Sequence, residues 1–255
     1  MRYSQYLAPC LALLAFSAHA GALPPPDAPS LARDPATIDR FVAAALGGAP
    51  YYNFMQLPID AERLARVADG KPLHYFDWSD LTAAEPPAIE RIRALTGLAP
   101  SPEPGSPDYD QATLIVREEK PALDTPRPQV SLDPPFYVTP AAAALPAAGC
   151  GSYAMSMHPL KPREVGFVTI RIVEGTPARA QQRCLALMLL RALGLMGMAE
   201  AASGEAVPAD ADPQTMLTPQ EELFLWLAYQ IPVGSDRDTV RKVAAERLEY
   251  LAAQP

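Results

Sequence analysis

The chain has 255 residues, 49% of them hydrophobic, and a formal net charge of -8, so it can bury a sizeable core as one domain or as one domain in two lobes. Its acidic balance argues against nucleic acid as a general partner and against an anionic membrane surface. Thirty prolines, more than twice the usual share of about 5%, and three cysteines complete the compositional picture.

The first twenty residues, MRYSQYLAPCLALLAFSAHA, carry one cation at Arg2, an apolar stretch from Leu7 to Phe16 and a small-x-small ending at Ala18, His19 and Ala20. That pattern is a secretory signal peptide with cleavage expected after Ala20. The stretch is well short of the ~20 residues a membrane span needs, and no later segment is longer, so no transmembrane segment is expected after cleavage. Cys10 precedes most of the apolar stretch instead of following it, which argues against lipidation there. The processed chain carries -9, because Arg2 is the only charge removed. A periplasmic or secreted protein is the expectation.

ALPPPDAPS at 22–30 reads as a flexible start, within a proline-rich segment 21–33. Asp34 and Pro35 then open a helix through IDRFVAAAL to Gly47 and Gly48, with cap, first-turn proline and terminal glycines in the expected places. IDAERLARVA at 59–68 is a short second helix. PLHYFDW at 72–78 is a strand, aromatic and apolar between Gly70 and the Ser79-Asp80 stop. From Pro87, the spacing of Ile89, Ile92, Leu95 and Leu98 is helical.

Proline-rich insertions follow near 99–110 and 120–147, separated by the strand ATLIVREE at 112–119. VGFVTIRIV at 165–173 is β-branched and nearly continuous in apolar residues, a further strand. Thr176 as cap and Pro177 in the first turn open a helix through ARAQQRCLALMLLRAL, with Gly194 placed for a left-handed C-terminal turn. Apolar nearly all round from 184 to 193, with Arg191 its only charge there, it is expected to be a buried central helix. LTPQEELFLWLAY adds Thr218 as cap, Pro219 at the first position and Glu221 at the capping-box position. SDRDTVRKVAAERLEYLA closes the chain as an amphipathic helix, with Val240, Val243, Ala244, Leu248 and Leu251 inward.

Without the signal peptide, Cys150 and Cys184 remain, and an even pair in an exported chain is expected to be bridged, with two buried thiols as the alternative. On the chain-entropy model, a loop of about 35 residues closed by that bridge would contribute roughly 3 to 4 kcal/mol.

The succession of strand 72–78, helix 87–97, strand 112–119, strand 165–173 and long helix 177–193 resembles the upper lobe of zincin-type metallopeptidases. LTPQEELFLWLAY is similar to the capped helix that follows the active site in metzincins. More closely, the chain resembles, over about residues 36–250, a bacterial exported family of unknown function. That family's core helix reads Cys, two variable positions, Glu-Glu, two positions, Gln, one position, then Leu-Gly-Leu. Cys184, Leu193, Gly194 and Leu195 match it at the right spacing. The resemblance implies an α+β, zincin-like fold: a small mixed sheet packed on a central buried helix, followed by a helical C-terminal lobe, in a single domain over 34–255.

The departures from the pattern decide the chemistry. A zinc peptidase needs two histidines one helical turn apart, a glutamate beside the first to activate water and, as a rule, a third ligand after the glycine. Anchored on Gly194, the ligand positions fall on Leu187, Arg191 and Gly197, and the glutamate position on Met188. None can bind zinc or move a proton there, and the family's own Glu-Glu and Gln are also replaced. The resemblance therefore implies a peptidase-like scaffold without catalytic residues, metal or cofactor. Its partner would be an envelope protein or peptide, and a hydrolase working through another site is the alternative.

Other chemistries are weak. His74 and His158 lie in different units, without acidic or thiol neighbours at ligand spacing. A serine triad would use Ser152 or Ser156 with His158, but the Gly-x-Ser-x-Gly turn is missing. Glu221-Glu222 is accounted for by helix capping, and Asp210 and Asp212 by a solvated loop. Copper(I) at Met155, Met157, Met188, Met196 and Met198 competes with plain core filling, which fits Met188 on a buried helix face better.

Overall fold

The computed structural model describes residues 22–47, 51–52, 58–59, 62–77, 84–100, 112–119, 150–156, 158, 160–198 and 207–254. The expected signal peptide and, apart from Ala99 and Pro100, the proline-rich insertions lie outside these residues. In chain order the elements are α1 (Ala28–Ala32), α2 (Thr37–Ala45), β1 (Tyr51–Tyr52), β2 (Pro58–Ile59), β3 (Pro72–Asp77), α3 (Pro87–Thr96), β4 (Ala99–Pro100) and β5 (Ala112–Glu119). There follow β6 (Cys150–Met155), β7 (Phe167–Val173), α4 (Ala178–Ala192), α5 (Pro219–Tyr229) and α6 (Arg237–Ala252). The fold is α+β.

One mixed sheet holds the strands in the order β2-β1-β6-β7-β5-β3-β4. β4, β3, β5 and β7 run parallel, whereas β6 pairs antiparallel with β7 along its whole length, from Cys150 opposite Ile172 to Met155 opposite Phe167. Central position explains the composition of β7: Phe167, Val168, Ile170, Ile172 and Val173 are all buried, so both faces of the strand are covered. α4 follows β7 directly and packs back on β6 and β7. The other helices form a C-terminal lobe in which α1 and α2 pack on α5 and α6, and Phe41 meets Phe224 edge-on at 5.7 Å.

Over the described residues 62–68, the expected helix at 59–68 is replaced by a segment bridged to its neighbours. Leu64 and Arg66 spend their backbone groups on neighbours: Leu64 N–H donates to Ser235 and its carbonyl accepts from Gly234, while Arg66 N–H donates to Arg163 and its carbonyl accepts from Val165. A backbone laced to chain on both sides has no groups left for i to i-4 bonds, and this overrides local helix propensity. The start read as flexible contains α1, whose Ala28 is fully buried.

Two caps also differ. Asp34 accepts the Ala36 N–H at 2.9 Å in a turn, so α2 starts only at Thr37. The Thr176 hydroxyl donates to the Val173 carbonyl at 2.7 Å instead of capping α4, and Pro177 takes the cap position. β6, which is not among the strands expected from the sequence, is held by β7. α5 has the full expected capping box, with Glu221 N–H on the Thr218 hydroxyl and the Glu221 carboxylate on the Thr218 N–H.

Candidate functional site

α4 and the turn after it carry Leu187, Met188, Arg191 and Gly197, the positions to which the zincin resemblance would assign ligands and a glutamate. Every residue of α4 from Arg183 to Ala192 is buried, as expected for a helix apolar on all sides. Leu187 is 4% exposed, and Met188 and Leu190 are not exposed at all. Leu187 and Met188 thus offer neither a ligand atom nor a proton carrier, and both are enclosed by the protein.

Gly197, in the turn after α4, is a place for glycine alone. Its N–H donates to the Ala44 carbonyl at 2.7 Å, and a Cβ there would stand 2.0 Å from the Ala43 carbonyl oxygen. Close approach of two backbones leaves no room for an imidazole. Gly194 is constrained twice, by φ +134° and by an added Cβ falling 3.2 Å from Arg66 Cβ. Gly197→Ala is expected to lower the thermal midpoint sharply, by about 3 kcal/mol or more, since α2 or the turn must move to relieve the clash. A thermal melt against wild type measures it.

Cys150 and Cys184 are joined by a disulfide with their Cα atoms 6.0 Å apart, tying β6 to the start of the buried part of α4. Both are buried, at 2% and 5% exposure. Arg191, the only charge from 184 to 193, is buried as well, at 6% exposure.

A second buried cation escaped sequence reading. Arg183 sends two parallel N–H bonds of 2.7 Å to the two carboxylate oxygens of Glu221, and a third, of 2.6 Å, to the Met216 carbonyl. Glu221 therefore caps α5 and neutralises α4 at once. Its neighbour Glu222 receives a bidentate pair from Arg91 of α3, at 2.7 and 2.5 Å, and this raises the pKa of Arg91. Nothing in the spacing of the chain announces these pairs, because the partners are 38 and 131 residues apart.

Arg66, 1% exposed, forms the third buried centre. Its Nε and Nη2 both donate to the Ile231 carbonyl, at 3.3 and 2.9 Å, and its Nη1 donates to the Val67 carbonyl and to Asp69. The guanidinium lies 4.5 Å from the centroid of the Tyr229 ring. Burial pushes the Tyr229 hydroxyl well above the usual tyrosine range. These groups join the segment before β3 to the end of α5, which is a structural task.

The weaker candidates separate in space or point elsewhere. The Ser156 hydroxyl donates to the Lys161 carbonyl at 3.0 Å, while Nδ1 of the exposed His158 accepts the Leu160 N–H at 3.1 Å. Serine and ring are thus spent on separate backbone groups, so they do not form a nucleophile and base. Ser152 lies in β6, and His74 is buried in β3, where burial lowers its pKa against the pull of Glu85. Met155, Met188 and Met196 are buried, and Met198 packs partly buried against the core; Met157 lies outside the described residues. Asp212, on an exposed turn, accepts the Gln214 and Thr215 N–H groups, which hold its pKa low. Among the described residues, no group of three or more His, Cys, Asp and Glu side chains could hold a metal ion, and no helix is long and apolar enough to cross a membrane.

His74 gives a pH dependence whose sign is set by burial. Its folded pKa lies below the ordinary value of 6.5, so the unfolded chain takes up the proton first as pH falls. The contribution is complete above about pH 6.5 and is lost as pH drops below it. Urea midpoints measured between pH 7.5 and 5.5 are expected to fall, and to fall less in His74→Leu.

No protein-family model, no curated protein and no solved structure matches the chain.

Proposed function

We propose that this protein is an exported, non-catalytic domain of zincin-like design that acts by binding an envelope protein or peptide. The observation that supports the reading is burial: Leu187 and Met188, which the zincin resemblance would put at a ligand and the glutamate position, are apolar and enclosed, and Gly197 is locked against Ala43. A mixed sheet laid on one buried helix, followed by a helical lobe, agrees with it, as does the order of elements from β3 to α4. The Cys150–Cys184 disulfide is compatible with an oxidising compartment, where such bonds persist.

Metal analysis and a peptidase assay on the purified, processed chain test the reading together. The expected result is less than one zinc per ten chains, with hydrolysis of a fluorogenic casein at background. One zinc per chain, together with hydrolysis that a chelator abolishes, would overturn it.

A further inference from the structure

The proline-rich stretch that follows the signal peptide is seated on the C-terminal lobe. Pro24, Pro25 and Pro26 each fix φ near -65°, and each forces the residue before it out of the helical region, so Leu23 to Pro25 is an extended polyproline-type run with no N–H from its prolines. The extended part ends at Pro25, because Pro26 and Asp27 form the turn into α1; such a run cannot join a sheet ladder and can offer only carbonyls and ring faces. The lobe meets both offers. Trp226 of α5, 5% exposed, donates its indole N–H to the Ala22 carbonyl at 3.3 Å, and Pro25 is buried while Leu23 is 77% exposed.

The far end is held too. The Ala28 N–H closes a turn on the Pro25 carbonyl at 3.0 Å, Ala28 is fully buried, and α1 lies against α5 and α6. Arg33 then donates to the Gln254 carbonyl at 3.1 Å. An aromatic donor over a carbonyl, with Pro25 buried, Pro24 half-buried and Pro26 in water, is the way extended proline peptides are bound in general.

We infer that the α5–α6 lobe carries a binding site for a proline-rich peptide, occupied in this chain by its own residues 22–33, of which 22–25 take the polyproline form and 28–32 the helix α1. The segment is a resident ligand in cis, and a competing peptide gains the site only when that segment leaves. The inference does not depend on the reading of α4, so either can fail alone.

The test uses the otherwise complete chain with Ala28→Arg, which puts a long charged side chain where no space exists and expels the segment. A fluorescent peptide of residues 22–33 is titrated by anisotropy against this variant and against wild type. Binding to the variant is expected to be at least about tenfold tighter than to wild type, whose site is filled. Adding Trp226→Phe to the variant should weaken binding about three- to tenfold, the worth of one neutral hydrogen bond. Replacing Pro24, Pro25 and Pro26 of the peptide by glycine should weaken it at least about tenfold through lost pre-organisation.

Three results would overturn the inference. They are equal binding by wild type and variant, absence of binding by a variant whose circular dichroism is native, and global unfolding of the variant. The last would make residues 22–33 a part of the core and not the occupant of a site.

Discussion

Glu221→Gln is expected to destabilise the protein by about 3 to 5 kcal/mol, the cost of leaving a buried charge without its partner. Glutamine keeps the size of the side chain and still serves at the third position of a capping box, so α5 keeps its start. What disappears is the negative charge facing Arg183, which is 7% exposed and bound by both carboxylate oxygens. Glu221→Ala should cost roughly 1 kcal/mol more, because it removes half of the capping box as well.

The decisive comparison is the double variant Arg183→Met with Glu221→Leu. Replacing both members by apolar groups of similar volume removes the desolvation cost together with the attraction, so it is expected to be less damaging than either single change. Urea denaturation of the four proteins gives the coupling. Additive effects would show that Arg183 and Glu221 do not act as a pair.

The same pair shows where the sequence is legible and where it is not. Elements whose signal is local can be read from their own residues: the near-continuous β-branched run of β7, the Thr218-Pro219-Glu221 start of α5, and the Val240, Ala244, Leu248, Leu251 stripe of α6. β6 is not among them, since Gly151 and Ser152 have poor strand propensity and it is β7, pairing with all six residues, that makes the segment a strand. The segment before β3 fails for the converse reason. Ile59, Leu64 and Val67 suit a helix, but residues 163–165 and 234–236 claim its backbone groups. At the candidate site, it is plain in the sequence that Leu187, Met188, Arg191 and Gly197 are not the residues of a zinc peptidase. The steric reason for Gly197 is not, because Ala43 lies 154 positions earlier in the chain.

Arg66→Met is expected to cost about 3 to 5 kcal/mol, although no charge is left unpaired in the interior, since Asp69 is 39% exposed and returns to water. The loss comes from the acceptors. The carbonyls of Ile231 and Val67 take their bonds from the guanidinium, and a buried acceptor stripped of its donor costs about 1 to 3 kcal/mol. Loss of the cation over the Tyr229 ring adds roughly 1 to 2 kcal/mol, and the methionine fills part of the vacated volume in return. Arg66→Lys separates geometry from charge: an ammonium can stay over the ring but cannot place two donors on Ile231 while reaching Val67, so it should recover less than half of the loss. Because Arg66 also stands against Gly194 at the end of α4, both variants should loosen the turn holding Gly197. Amide exchange at Gly197, whose N–H is bonded to Ala44, is expected to quicken in Arg66→Met at least as much as global stability falls. Unchanged exchange there would show that Arg66 holds α5 alone and leaves the end of the central helix untouched.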